Sequence, residues 1–218
     1  EEKGRKKVVA ENTDGEKVEF SGDEILFATG RVPNTDSLEV EEAGIDTTEK
    51  GFVKTDEKMR TNIDGIYALG DIADNWMFKH SANHEAEIVF KNIVTGDQYD
   101  VDYPGMPHAV FTSPQIAGVG KTEQELEEKD EDYVSATYDY ADTGMGSALK
   151  EGDGFVKVLA SEDGEILGCH IIGPHASQQI HEVLVAMKAG SGTVDDIKNT
   201  IHIHPALNEV VQRAFSQV

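Results

Sequence analysis

Apolar residues recur along the chain at two spacings, and each spacing predicts a different element. Alternation with a period of two marks residues 8–11 and 18–20, on either side of the polar turn Asn12-Thr13-Asp14-Gly15, so residues 6–20 are expected to form a hairpin. Residues 133–140 alternate in the same way, residues 107–120 read as strand, turn, strand, and residues 155–160 and 166–172 form a second hairpin around Ser161-Glu162-Asp163-Gly164. Two further runs, 23–30 and 61–71, hold apolar stretches without alternation. A continuous apolar run suits a strand covered on both faces, so each is expected to be a buried strand.

A helical period governs the rest. Ile180, Val183, Leu184 and Met187 stand at i, i+3, i+4 and i+7 on a segment that begins near His175 and stops at Gly190, which predicts a helix with one face in a core or an interface. Residues 76–94 predict another, closed by Gly96. Thr122 and Glu125 form a Thr-x-x-Glu capping box that starts a helix to about Asp130, and Thr193 is expected to cap a short helix with Asp196 at its third position. Proline disfavours helical dihedrals in the residue before it and suits a helix's first turn, so the last helix is expected over residues 205–215 with His204 extended just outside it. Residues 38–65 read as irregular connection punctuated by Gly44, Gly51 and Gly65, and the polar stretch 97–105 reads as a linker at a domain boundary.

Charge narrows the partners. Asp and Glu number 42 against 19 Lys and Arg, a net charge of -23 that argues against nucleic acid or an anionic membrane surface. The acid is spread between periodic apolar positions, so it reads as a solvated coat on a folded protein, as halophiles use, with an ordinary acidic cytosolic protein as the alternative. The one cysteine, Cys169, allows no disulfide within the chain and no cysteine metal cluster. No apolar run reaches the roughly 20 residues of a spanning helix and no signal-like segment opens the chain, so a cytoplasmic location is expected.

Chemistry concentrates in His202-Ile203-His204-Pro205-Ala206-Leu207-Asn208-Glu209. Glu209 is placed to accept a hydrogen bond from one nitrogen of His204, leaving the other free to exchange a proton with a substrate. The alternative is a cap histidine above a surface helix. A second candidate is Gly70-Asp71 at the end of the run 61–71, where glycine lets a ligand approach the backbone and the aspartate can accept from the hydroxyls of a nucleotide. His80 and His84 stand at i, i+4 but have no third ligand at a convincing spacing, so no metal site is expected.

Three of these stretches, in order, resemble the FAD-dependent pyridine nucleotide-disulfide oxidoreductases. Ala28-Thr29-Gly30-Arg31 is similar to the segment that joins that family's nucleotide domain back to its flavin domain, and Thr61 through Asp71 resembles its second flavin-binding motif. His204-Pro205 with Glu209 resembles its carboxyl-terminal signature, in the double-histidine form of the dihydrolipoamide dehydrogenase and mycothione reductase branches. The resemblance implies that His204 is the acid/base for a substrate dithiol and that Glu209 orients it. It also implies that Gly30, Arg31, Gly70 and Asp71 contact FAD and that Met77, Phe78, Lys79 and His80 line its ring, with the positive end of the following helix toward it.

The expected architecture is therefore the end of two nucleotide-binding α/β domains (1–30 of the NAD(P) domain, 31–100 of the FAD domain) followed by an α+β dimerisation domain, 101–218, with a mainly antiparallel sheet. No Gly-x-Gly-x-x-Gly follows a strand and no Cys-x-x-x-x-Cys is present, so the chain is expected to be the carboxyl-terminal half of a reductase subunit, inactive alone. The whole subunit would pass electrons from NAD(P)H through FAD and a cysteine pair to a small thiol disulfide, mycothione-like or bis-γ-glutamylcystine, as a homodimer. Dihydrolipoamide dehydrogenase is the alternative activity, and a non-catalytic dimerisation module is the alternative of another class. The charge of -23 repels itself more in the compact state, so screening should stabilise the fold. The thermal midpoint is expected to rise from dilute buffer to molar salt, and a flat or falling midpoint would remove the halophilic reading.

Overall fold

A five-stranded antiparallel sheet organises the second of two units, Glu1–Val101 and Asp102–Val218, into which the chain divides. The computed structural model describes residues 4–103 and 105–218; Pro104, inside the predicted linker, lies outside them, as do residues 1–3.

In the first unit, β1 (Lys6–Glu11) and β2 (Lys17–Gly22) pair antiparallel from Lys6↔Gly22 to Glu11↔Lys17, as their alternation predicts. Asn12 closes the turn, its Oδ1 accepting from the backbone N–H of Asp14 at 3.0 Å and of Glu16 at 2.9 Å. The two expected buried strands do not form. Along 23–30, Leu26 is 89% and Phe27 81% exposed, and no described strand pairs with the run; a strand exists only where a neighbour takes up its backbone groups. Along 61–71 the donors go to local turns instead, Thr61 N–H to the Ile66 carbonyl at 2.9 Å and Ile66 N–H to that of Ile63 at 3.1 Å. What remains is a single bridge, Arg60↔Tyr67, and a 3-10 turn over Gly70–Ala73. Helix α1 (Lys79–Thr95) follows and ends at Gly96, whose φ of 74° is the left-handed conformation that glycine adopts without strain.

In the second unit the sheet order is β3-β4-β7-β6-β5, built from β3 (His108–Val110), β4 (Gln115–Gly120), β5 (Val134–Asp139), β6 (Phe155–Ala160) and β7 (Ile166–Gly173). Every pairing is antiparallel. Helix α2 (Glu123–Glu128) carries the predicted capping box: Thr122 Oγ1 accepts from Glu125 N–H at 3.2 Å, and Glu125 Oε2 from Thr122 N–H at 2.8 Å. Helix α3 (Gly144–Leu149), which no periodicity announces in a segment with two glycines, is started by Thr143 Oγ1 accepting from Gly146 N–H at 3.1 Å.

Helix α4 (Ala176–Ala189) buries Ile180 and Val183, packs Leu184 and Met187 beside them, and leaves Val185 outside, the predicted face. Thr193 does not cap α5 (Asp195–Lys198). No side chain does; Asp196 instead ties down the turn before the helix, accepting from the backbone N–H groups of Ser191 at 2.7 Å and Gly192 at 3.1 Å. The last helix, α6, spans Glu209–Phe215 and does not start at Pro205. Its approach is a pair of tight turns, Glu209 N–H to the Ala206 carbonyl and Val210 N–H to that of Leu207, while the Ala206 N–H is taken by the Glu209 side chain. The His204-Pro205 peptide is cis.

One core joins these elements. Val119, Val156, Val158, Cys169 and Ile171 from the sheet meet Ile180 and Val183 of α4 and Val210, Val211, Ala214 and Phe215 of α6, all at 0–1% exposure. A seven-residue helix is marginal on propensity alone, so α6 is held by burial; Phe215 alone contributes on the order of 1.5–3 kcal/mol. Gly168 on β7 shows how tightly the sheet closes: a Cβ there would stand 2.1 Å from the Lys121 carbonyl oxygen, while the Lys121 N–H donates to Leu167 at 2.8 Å and cannot retreat. Gly168→Ala is expected to destabilise the second unit by about 1–3 kcal/mol in urea denaturation. Gly152→Ala, in open space, is expected to leave the midpoint unchanged.

Candidate active site

The loop before α6 and the first residue of that helix form the site in the second unit. Glu209 is 8% exposed, and its carboxylate oxygens are divided between two donors. Oε2 accepts from Ala206 N–H at 3.0 Å, and Oε1 meets His204 Nδ1 at 2.9 Å. The backbone bond from Ala206, and after it the bond from His204, hold the Glu209 carboxyl below its ordinary value of 4.5. The His204 side chain is 73% exposed and its Nε2 makes no hydrogen bond among the described residues. An imidazole with one nitrogen fixed on a carboxylate and the other open can pass a proton to an incoming group and take it back.

Gly144, at the start of α3, lies beside this ring; a Cβ there would stand 3.2 Å from His204 Cε1 and 3.7 Å from Pro205 Cβ. Sequence reasoning missed it, since nothing in the spacing of Thr143 and Gly144 points to a residue sixty positions on. Cys169 is fully buried beneath the same unit's helices, and burial, then the charge of Glu182, raises its thiol above the ordinary range. It is a core side chain, as a lone strand cysteine is expected to be.

In the first unit, Arg31, Asp71 and Met77 come together at a cleft of about 440 Å³ that Leu38, Phe52 and Ile72 also line. The Arg31 guanidinium ion-pairs with Asp71 through Nη1 and donates through Nη2 to the Met77 carbonyl at 2.9 Å. Gly70, at φ 74°, directs its N–H to Glu85 Oε2 at 2.5 Å, and Glu85 is fully buried. That anchor, missed in the sequence, fixes the backbone from which Asp71 projects with half its side chain exposed. Phe78 is the N-cap of α1 and stacks between Trp76, 6.1 Å away, and His80, 5.0 Å away. Lys79 ion-dipole pairs with Asn83 on its own helix, and Gly30, at φ 103°, is exposed, where a Cβ would meet nothing within 4 Å. A mixed cleft with a projecting carboxylate and an apolar wall suits a polyol chain beside a flat ring. No group of three or more metal-ligating side chains occurs among the described residues, and no helix among them is long and apolar enough to cross a membrane.

The depressed Glu209 carboxyl carries a pH signature. Its stabilisation is fully present above the unfolded value near 4.5 and is lost as pH falls through the lower folded value. The stability difference between the natural chain and Glu209→Gln is therefore expected to be full at neutral pH and to narrow as pH falls below 4.5. Denaturation midpoints measured from pH 7 to pH 3 check this, and a constant difference would contradict it.

Comparison with known proteins agrees in both units. Residues 1–86 match the pyridine nucleotide-disulphide oxidoreductase domain, and residues 106–215 match the dimerisation domain of the same family. Dihydrolipoyl dehydrogenase of Bacillus subtilis is 41% identical over 201 residues, which cover 92% of this chain and 42% of that protein. Mycothione reductase of Mycobacterium tuberculosis is 40% identical over 202 residues, covering 90% and 44%. Among solved structures, a copper(II) complex of the HOCl-induced flavoprotein disulfide reductase RclA from Escherichia coli superposes with a TM-score of 0.85 at 25% identity, over 96% of this chain and 49% of that one. The chain thus spans under half the length of these relatives, and the family's cofactors are FAD and NAD(P)H. With both of its units matched, this chain belongs to the pyridine nucleotide-disulphide oxidoreductase family.

Proposed function

We propose that the chain is the carboxyl-terminal part of a homodimeric flavoprotein disulfide reductase, with His204 as its acid/base group and Glu209 as the carboxylate that orients it. The observation that carries this reading is the 2.9 Å contact between His204 Nδ1 and Glu209 Oε1 with Nε2 left open to solvent. When a substrate disulfide is opened by a thiolate, Nε2–H donates its proton to the departing thiolate sulfur; in the reverse direction Nε2 takes a proton from a substrate thiol. Glu209 keeps Nδ1 engaged throughout, so the ring neither turns nor changes the nitrogen it presents.

Gly30, Arg31, Gly70, Asp71, Met77, Phe78, Lys79 and His80 would hold FAD, Asp71 accepting from the polyol hydroxyls at the cleft and the amino end of α1 favouring negative charge near the ring. When bound, FAD supplies the two-electron carrier between NAD(P)H and a cysteine pair, which this chain does not contain. For the substrate, two readings rest on different observations. The wording of 78–86 and 204–211 and the 40% relative favour a small thiol disulfide of the mycothione or bis-γ-glutamylcystine kind, and the 41% relative favours dihydrolipoamide. Turnover of the full-length protein with each, compared as kcat/KM, separates them.

In that protein His204→Ala is expected to slow the disulfide half-reaction by ~10²–10⁴ while flavin reduction by the nicotinamide stays near normal. Glu209→Gln should fall in the same half-reaction by less. Stopped-flow traces separate the halves, and His204→Ala subunits mixed with subunits lacking the redox cysteines should regain activity only in heterodimers, at one of two sites. Normal turnover of the His204→Ala homodimer would return the histidine to a capping role.

A further inference from the structure

Glu182 lies on α4, outside the His204–Glu209 pair, and grips the loop on which that pair sits. Its Oε1 meets His202 Nε2 at 2.5 Å, and its Oε2 accepts from Asn208 Nδ2 at 2.6 Å. The other nitrogen of His202, Nδ1, meets the Thr200 carbonyl at 2.9 Å, so both ring nitrogens are held. The His202 side chain is 8% exposed and that of Glu182 24%. One carboxylate thus holds both flanks of residues 203–207: His202 stands two residues before His204, and Asn208 directly precedes Glu209.

The amino-terminal half of the loop packs on little within the subunit: Ile201 is 98% and Ile203 80% exposed, while at its other end Leu207 rests on the core and the Ala206 N–H is held by Glu209. Glu182, by contrast, stands next to Val183 and two residues from Ile180, both buried in that core, so its backbone is fixed. At that amino-terminal half, the polar bonds from a rigid helix take the place of packing. Charge-assisted bonds to a partly buried carboxylate are suited to this, since they are directional and leave His204 itself exposed.

We infer that Glu182 is a positioning residue for the reaction: it sets the distance between His204 and Glu209 by fixing the two ends of the loop that carries them. The inference rests on the acid/base reading of His204. In the full-length protein Glu182→Gln is nearly isosteric but uncharged: its amide N–H faces either the Asn208 amide, itself a donor, or His202 Nε2, which accepts only once the ring has given up that proton, so the charge-assisted hold on the loop is lost. It is expected to slow the disulfide half-reaction by about 10–100-fold, as small misplacement of a reacting group does, with KM changed little and flavin reduction by NAD(P)H unchanged. The pH–rate profile of that step should move to lower pH, because a misaligned Glu209 stabilises the imidazolium less. Adding Asn208→Asp to Glu182→Gln exchanges donor and acceptor and restores the bond, so the double variant should recover most of the lost rate.

Natural rates and an unmoved profile in Glu182→Gln overturn the inference. So does a slow Glu182→Gln whose profile stays in place and which Asn208→Asp does not rescue, since that is the mark of general damage. His204→Ala, run alongside, keeps the two proposals apart. A normal half-reaction there defeats the acid/base reading itself, whereas a slow His204→Ala beside a normal Glu182→Gln defeats only the positioning role.

Discussion

The bond between Glu209 and the Ala206 N–H is the constraint on which the site depends. It occupies one oxygen of a nearly buried carboxylate, which leaves the other pointing at His204 and at no alternative donor. A carboxylate free to rotate would exchange water for the imidazole, and the ring would lose its fixed orientation. Holding that backbone donor in place requires the turns 206–210, and holding those requires α6, which stays helical because four of its seven residues are sealed in the core. The geometry of the His204–Glu209 pair is thus a product of hydrophobic burial one turn away.

The two units meet their obligations differently. In the second, the three inner strands β4, β7 and β6 are paired on both sides, and the glycines at 120, 146 and 168 mark places where backbone meets backbone too closely for any side chain. In the first, regular pairing stops after β2, and the cleft is framed by specific polar bonds: Gly70 to Glu85, Arg31 to Asp71 and Met77. The Arg31–Asp71 pair is more than half exposed on both sides, so its role is to aim the two groups, with little net stabilisation. The buried Glu85 contact is the stronger device, since a desolvated carboxylate losing its donor is costly.

Most of the second unit was legible in the sequence because its signals are local. Alternation marked the sheet strands, as it did β1 and β2 in the first unit, the capping box marked α2, and the i, i+3, i+4, i+7 row of Ile180 to Met187 marked the buried face of α4. His204 with Glu209 was legible for the same reason, five residues apart. What was not legible depended on partners distant in sequence. An apolar run such as 23–30 states that it is fit to be a strand and says nothing of whether a neighbour is beside it. Gly144 and Glu182 reach the loop across sixty and twenty positions, and no periodicity encodes such a contact. The onset of α6 was misplaced because proline's preference for a first turn was outweighed by a side chain claiming the Ala206 donor.

Cys169 has a practical consequence. It is the sole thiol of the chain, it has no exposed surface, and it sits in the central strand of the sheet opposite Val119 on one side and Val158 on the other. A thiol reagent can reach that sulfur only when the elements packed over its face of the sheet lift away, so its rate of labelling is a clock for opening of the second unit's core. Folding of the scaffold beneath the His204 loop can thus be timed through one native atom, with no reporter introduced and no residue of the site disturbed.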